Sequence, residues 1–207
     1  MNRIRLTREQ SRDQTRQRLL DAAQNLFIER GLVAASVEDI AEAAGYTRGA
    51  FYSNFDNKTE LFLELLRRDH DEIMRGMHAI FDGENAGPAD FEERILRYYG
   101  QVHLSNKCFL LWAEARLQAA RDATFGARFA EFIRELQQAV ASYAEHFAQR
   151  VGTPLTMPAG QLALGLTALC DGMTFFHTLD PQAVPSEVVE NVLQTFFRMV
   201  VLKGERR

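Results

Sequence analysis

The sequence predicts an all-α protein of about nine helices, and three observations carry that prediction. Apolar residues recur in steps of three and four, most clearly at Phe125, Phe129, Phe132, Ile133, Leu136, Val140, Tyr143 and Phe147. Dense alternating apolar runs, the mark of strands, are absent, and only five prolines interrupt 207 residues. Helix starts and stops are written in Ser, Thr, Asn, Pro and Gly at the ends of the periodic stretches. A chain of this length buries a substantial core, and its 46% apolar content is that of a globular protein. Fifteen phenylalanines suggest an aromatic-rich core or pocket.

The first helix is expected from about Ser11 to Arg30, with Leu19, Ala22, Ala23, Leu26 and Phe27 inward and Gly31 as its stop. Ser36 then caps a short helix whose Val37, Ile40, Ala41 and Ala44 share one face. Gly45 takes the turn, and Thr47 caps a second short helix, Arg48 to Asn54. Phe51 and Phe55 point inward there, leaving Arg48, Gly49, Tyr52 and Ser53 outside. Asn57 caps a long helix from Lys58 towards Phe81, in which a polar stretch, RRDHDE, separates two apolar ends. That pattern suits a helix connecting two domains. The turn-rich DGENAGP, residues 82–88, is the clearest break that follows.

Helices are expected next at about Ala89–Leu104, Ser105–Arg121 and Thr124–Arg150, the last capped by Thr124. Pro158 and Pro185 fit the first turns of two final helices, reaching about Leu179 and Leu202. Both are apolar over much of their circumference, so each needs burial on more than one side. A second copy of the chain, packed as a four-helix bundle, would supply the other side, with Gly165 and Gly172 allowing close approach. A central core helix within one chain is the alternative.

Two short helices over a tight turn are the geometry of a DNA-binding helix-turn-helix. Arg48, Tyr52, Ser53 and Asn54 can donate to phosphates and base edges. The runs LLDAAQNLFIERGLVAASVEDIAEAAG and GYTRGAFYSNFDNKTELF resemble the signature of the tetracycline-repressor family of bacterial transcription regulators. Gly45, Thr47, Gly49, Phe51, Tyr52, Phe55, Lys58 and Leu61 stand where that family's motif has them. Asn54 departs from it, since the family usually has His there, and Asn cannot be cationic.

The resemblance implies an N-terminal helix-turn-helix domain, residues 1–57, and a helical effector-binding and dimerisation domain, residues 58–207. It also implies a homodimer joined through the last two helices, a double-stranded DNA operator and a small-molecule effector, with repression the usual mode. The expected DNA contacts are Ser36, Thr47, Arg48, Gly49, Tyr52, Ser53, Asn54 and Lys58. Arg48 is the candidate for bidentate reading of guanine, while Lys58, Tyr52 and the two capped helix starts would hold phosphates. Candidate effector contacts are His103, Phe109, Trp112, Arg116, Phe129, Tyr143, Met173 and His177, whose aromatic crowding suits an apolar or aromatic molecule. A protein partner docking on the C-terminal half is the competing reading.

The net charge of −4 excludes a generally basic DNA-coating protein. Six arginines against Glu9 and Asp13 nevertheless leave a local +4 in residues 1–20, a basic end on an acidic body. No Gly-rich phosphate loop, nucleophile elbow or metal-spaced Cys/His cluster is present, so neither enzymatic activity nor a cofactor or metal is expected. Cys108 and Cys170 lie in apolar surroundings, as buried thiols of a reducing cytosol do. No secretory signal is visible, and no uninterrupted apolar run approaches the ~18 residues of a membrane span. A cytoplasmic protein is therefore expected.

Overall fold

The computed structural model describes residues 7–82, 88–102 and 108–202, and every regular element among them is helical. Nine α-helices occur among the described residues. They are α1 (Arg8–Arg30), α2 (Val37–Ala43), α3 (Arg48–Tyr52), α4 (Lys58–Phe81), α5 (Pro88–Gln101), α6 (Phe109–Arg121), α7 (Ala123–Val151), α8 (Ala159–Leu179) and α9 (Ser186–Phe197). A single π-helical turn, Arg198–Leu202, continues α9.

Local chemistry accounts for the boundaries. α1 begins earlier than the apolar stripe suggests because Thr7 and Gln10 form a capping box. It ends at Gly31, whose φ of 83° lies in the region that side chains with a Cβ avoid. α7 is started by Asp122 rather than by Thr124: its carboxylate accepts from the Thr124 and Phe125 amides at 2.9 and 3.1 Å. α8 and α9 follow Pro158 and Pro185, and neither has a side-chain cap bond.

Packing groups the chain into two compact units. The first comprises Met1–Asp69 and Cys108–Phe129, and the second His70–Lys107 and Ala130–Arg207. The sequence suggests a boundary after residue 57. Packing instead places the first half of α4 and all of α6 with α1–α3.

The first unit is built on aromatic contacts between helices. Phe27 and Phe62 meet edge to face at 5.6 Å, Phe62 lies 6.3 Å from Phe125, and Phe51 lies 5.7 Å from Phe55. Leu19, Ile40, Leu61, Leu66 and Leu111 are fully buried in the same unit. The second unit has a core of Phe91, Ile95, Tyr99, Phe147, Leu162, Leu166, Cys170, Val189, Leu193 and Phe197. Phe147 stacks on Phe91 at 5.6 Å and meets Phe197 edge to face at 5.3 Å. Tyr99 donates its hydroxyl to the Leu166 carbonyl at 3.1 Å, so this buried polar tip is satisfied. Tyr98 donates to the Ile73 carbonyl at 2.6 Å and lies over Gly76. A Cβ at Gly76 would stand 2.3 Å from that hydroxyl and 2.7 Å from the ring.

The last two helices keep uncovered apolar surface. Leu164, Phe175, Phe176 and Leu179 on α8, and Val188 and Phe196 on α9, are exposed, as is Met199 just beyond. α8 is 21 residues long, with a mean hydropathy of 1.3 over an 18-residue window, enough by length and composition to cross a membrane. Counting uninterrupted apolar runs overlooks this, because Thr and Asp residues break the run without making the helix polar. Its inner face, with Leu162, Leu166 and Cys170, belongs to the core of the second unit.

Candidate nucleic-acid interface

Three hydroxyl and amide caps hold the helix-turn-helix in shape. Ser36 and Asp39 form a capping box, in which the Ser36 hydroxyl accepts from the Asp39 amide at 3.0 Å and the Asp39 carboxylate accepts from the Ser36 amide at 2.9 Å. The Ser36 hydroxyl also donates to this carboxylate at 2.5 Å, and that bond first, with the Ser36 amide second, holds the Asp39 carboxyl below the usual carboxylate range. Gly45, at φ 75°, makes the turn into α3. Thr47 accepts from the Ala50 amide at 3.3 Å, and Asn57 accepts from the Glu60 amide at 2.9 Å to open α4.

The turn between α1 and α2 is gripped by two charged side chains. Lys58 Nζ donates to the Leu32 and Ala35 carbonyls, each at 2.7 Å, and lies 3.4 Å from the Val33 carbonyl. Glu114 of α6 accepts from the Leu32 amide at 2.6 Å. Arg16 of α1 lies 4.1 Å over the Phe55 ring and donates to the Asn54 carbonyl, closing the end of the α3 turn.

With α3 so fixed, its outer face carries Arg48, Gly49, Tyr52 and Ser53, all exposed. Tyr52 is 46% exposed and rests edge-on against the buried Phe51 at 5.4 Å, so its body is anchored while its outer edge stays at the surface beside Arg48. The Ser53 hydroxyl donates to the Gly49 carbonyl at 2.9 Å. A Cβ at Gly49 would meet only the Thr47 hydroxyl, at 3.7 Å, so the surface above this backbone is open. Arg48 lies 5.5 Å over the Tyr52 ring and pairs with Glu38 of α2 at 2.7 Å. Tyr52 first, and Glu38 second, raise the guanidinium pKa above its ordinary value.

Two expected DNA contacts are placed differently. Asn54 is 8% exposed and donates to the Ala50 carbonyl at 2.8 Å, so it closes the last turn of α3 instead of facing outward. The reason is that α3 ends at Tyr52, and the backbone beyond it leaves the helical face expected for Asn54. The Lys58 ammonium is turned into the α1–α2 turn, where burial depresses its pKa. Glu38, Arg16 and Glu114 were not singled out by sequence reasoning. Only Glu38 left a signal, an acid at the outward spacing of α2 beside an arginine-bearing helix.

The expected effector contacts fall in both units. His103 lies outside the described residues. Phe109, Trp112, Arg116 and Phe129 belong to the first unit, and Tyr143, Met173 and His177 to the second. Trp112 donates its indole N–H to Asp69 at 2.7 Å, and Phe129 stacks on Phe125 at 5.8 Å within the core. Arg116 is exposed. The Tyr143 hydroxyl lies 3.0 Å from His78 Nδ1, and the other ring nitrogen of His78 lies 2.9 Å from Asp82. Met173 packs against the second core, and His177 lies 2.8 Å from the Val184 carbonyl. A groove of about 440 Å³ in the second unit is lined by Glu92, Glu93, Leu96, Arg97, Gln101, Glu190, Gln194 and Arg198, none of them an expected effector contact.

An all-helical chain whose first unit presents a capped helix-turn-helix defines a class of protein, and comparison with known proteins defines the family. Residues 19–65 match the model of bacterial regulatory proteins of the tetR family. Residues 107–201 match that of the BetI-type transcriptional repressor C-terminal region. The HTH-type transcriptional regulator TtgR of Pseudomonas putida is 41% identical over 75 residues, 35% of each chain. The HTH-type transcriptional repressor KstR2 of Rhodococcus jostii is 33% identical over 99 residues, 48% of each. Over its aligned part, the chain spans about a third to a half of the length of these curated relatives. A TetR-family transcriptional regulator from Rhodococcus sp. shares the fold with a TM-score of 0.74 at 21% identity, over 91% of this chain and 99% of that one. A transcriptional regulator from Saccharomonospora viridis, solved in complex with choline, gives 0.66 at 19% identity over 90% and 96%. The chain belongs to the tetR family of bacterial regulatory proteins.

Proposed function

We propose that this chain is a cytoplasmic, sequence-specific DNA-binding repressor that binds a palindromic operator as a dimer and is released by a small molecule. The observation that carries the reading is the outer face of α3, where Arg48, Gly49, Tyr52 and Ser53 stand exposed on a helix fixed by Thr47 and Arg16. In this reading residues 1–57 form the DNA-reading domain. Arg48 reads guanine bidentately in the major groove, Ser53 adds a lesser contact, and Tyr52 with the Ser36 and Thr47 helix starts holds phosphates. Lys58 contributes by shaping the α1–α2 turn.

The exposed apolar residues of α8 and α9 support a dimer through those helices. Two α3 helices, one per protomer, would then enter successive major grooves ~34–36 Å apart. An effector must favour one spacing of the two reading helices over the other. A coupling of ~1–3 kcal/mol changes operator affinity about 5- to 150-fold. The aromatic richness of the sequence suits an apolar or aromatic effector, and the choline-bound protein of this fold makes an organic cation the first molecule to try.

The test is selection of genomic DNA fragments by the purified protein at ~150 mM salt, because affinity for DNA depends steeply on salt. Recovery of one palindromic site, bound at least tenfold more weakly after Tyr52→Ala or Arg48→Ala, is the expected result. Recovery of sequence-independent fragments alone would remove the reading.

A further inference from the structure

We propose that Glu38 determines specificity at this interface by filtering what Arg48 can bind. The inference rests on α3 as the reading helix and goes one residue beyond it.

α2 lies against α3 and carries Glu38, Asp39 and Glu42 but no Lys or Arg. Asp39 is committed to the cap of its own helix. Glu38 is not: it is exposed and reaches across to α3, where its Oε1 lies 2.7 Å from an Arg48 Nη. Acids beside DNA are repelled by phosphates, so a carboxylate here weakens general DNA binding. With both side chains more than half exposed, the pair contributes little to folding, and its effect falls on binding.

The geometry separates two kinds of DNA acceptor. A guanidinium has five N–H donors in a planar fork, and Glu38 engages one arm of it. The Tyr52 ring lies beside the same group, 5.5 Å away, and limits where it can swing. The O6 and N7 atoms of guanine are neutral acceptors, and they can take the remaining N–H groups while Glu38 keeps its bond. A phosphate at the same place would set a second anion against the Glu38 carboxylate, with one cation between them. Glu38 therefore penalises Arg48 on the DNA backbone and spares Arg48 on a guanine edge. The result is a higher ratio of specific to general binding without a stronger operator contact.

The experiment compares wild type, Glu38→Gln, Arg48→Ala and the double variant, each as full chain. Binding is measured to the selected operator and to a scrambled duplex of equal length and composition. In Glu38→Gln, affinity for the scrambled duplex should rise about 3- to 10-fold, its log–log salt slope should steepen by ~0.9, as for one added phosphate contact, and operator affinity should move less than about twofold. In the Arg48→Ala background the same change should act on both duplexes alike, since the cycle isolates the pair. An unchanged specificity ratio in Glu38→Gln, or a fall that persists without Arg48, would overturn the proposal. Wild type that does not distinguish operator from scrambled duplex would overturn the reading of α3 on which it stands.

Discussion

The two units solve the same problem, burying a helical core, by different means. In the first, helix starts and turns are fixed by polar groups: the Thr7 and Ser36 capping boxes, Thr47, Asn57, and the Lys58 and Glu114 grip on the α1–α2 turn. In the second, α8 and α9 start after prolines without side-chain caps, and position comes from interlocked rings and aliphatic side chains around Phe91, Phe147 and Phe197. Polar bonds have angles and set one geometry; apolar packing tolerates exchange of one side chain for another of similar volume. In the proposed reading, a surface that matches DNA closely benefits from the first kind. A region that needs only to bury a core can use the second.

The largest expected effect tests whether the first unit also depends on its aromatic contacts. Phe62→Ala removes a fully buried ring lying between Phe27 and Phe125 and should destabilise the protein by about 3–5 kcal/mol in urea unfolding, with operator binding lost at 37 °C. A loss under about 1 kcal/mol would mean that the polar anchors alone hold the unit.

Lys58→Met is the sharper test of those anchors. It leaves carbonyls in the α1–α2 turn without their donor and should cost about 1–3 kcal/mol, visible as a lower melting temperature. The sequence reading of Lys58 as a phosphate contact makes the opposite forecast, with affinity for DNA reduced and the melting temperature held.

The second unit offers a pH test. Burial pushes the Cys170 thiol up to about 12, whereas the same thiol in the unfolded chain titrates near 8.5. A raised folded pKa gives stability that is complete below pH ~8.5 and is lost as pH rises towards 12, with a slope of up to ~1.4 kcal/mol per pH unit. Unfolding free energies between pH 8 and 10 should therefore fall less steeply in Cys170→Ala than in wild type. Parallel curves would show that the thiol is not held neutral. The smallest effect is expected from Ser36→Ala, about 0.5–2 kcal/mol, with α2 the first element to lose amide exchange protection. Chemical denaturation and hydrogen exchange together would detect it.

The same contrast explains what could be read from the sequence. Ser36, Thr47, Asn57, Gly31 and Gly45 act within a few residues of themselves, so their roles and most helix ends were legible from local order. Asn54 was misplaced because a helix as short as α3 ends before periodicity can assign the face of its last residues. The bonds of Lys58 to the α1–α2 turn are not legible locally because its partners lie 23 and 26 residues away, and that of Glu114 because Leu32 lies 82 residues away. No local pattern encodes contacts at that range. The effector contacts were chosen by residue type alone, and type does not say whether a ring lines a pocket or, like Phe129, stacks in a core.

Gly76 and Tyr98 carry a consequence for how this sequence can change. Alanine in the middle of an exposed helix is normally favoured over glycine by ~0.8–1 kcal/mol, so Gly76 in α4 looks like a position open to improvement. The Tyr98 hydroxyl and ring leave no room for the added methyl group. Replacing Tyr98 with Phe would not suffice, since the ring atoms themselves stand 2.7 Å from that Cβ. Of the two orders in which the pair could be exchanged, only the one in which Tyr98 first gives way to a smaller side chain passes through an intermediate without a clash. The present pairing is thus a historical lock: a substitution that would help the helix alone is closed to it until its neighbour has changed.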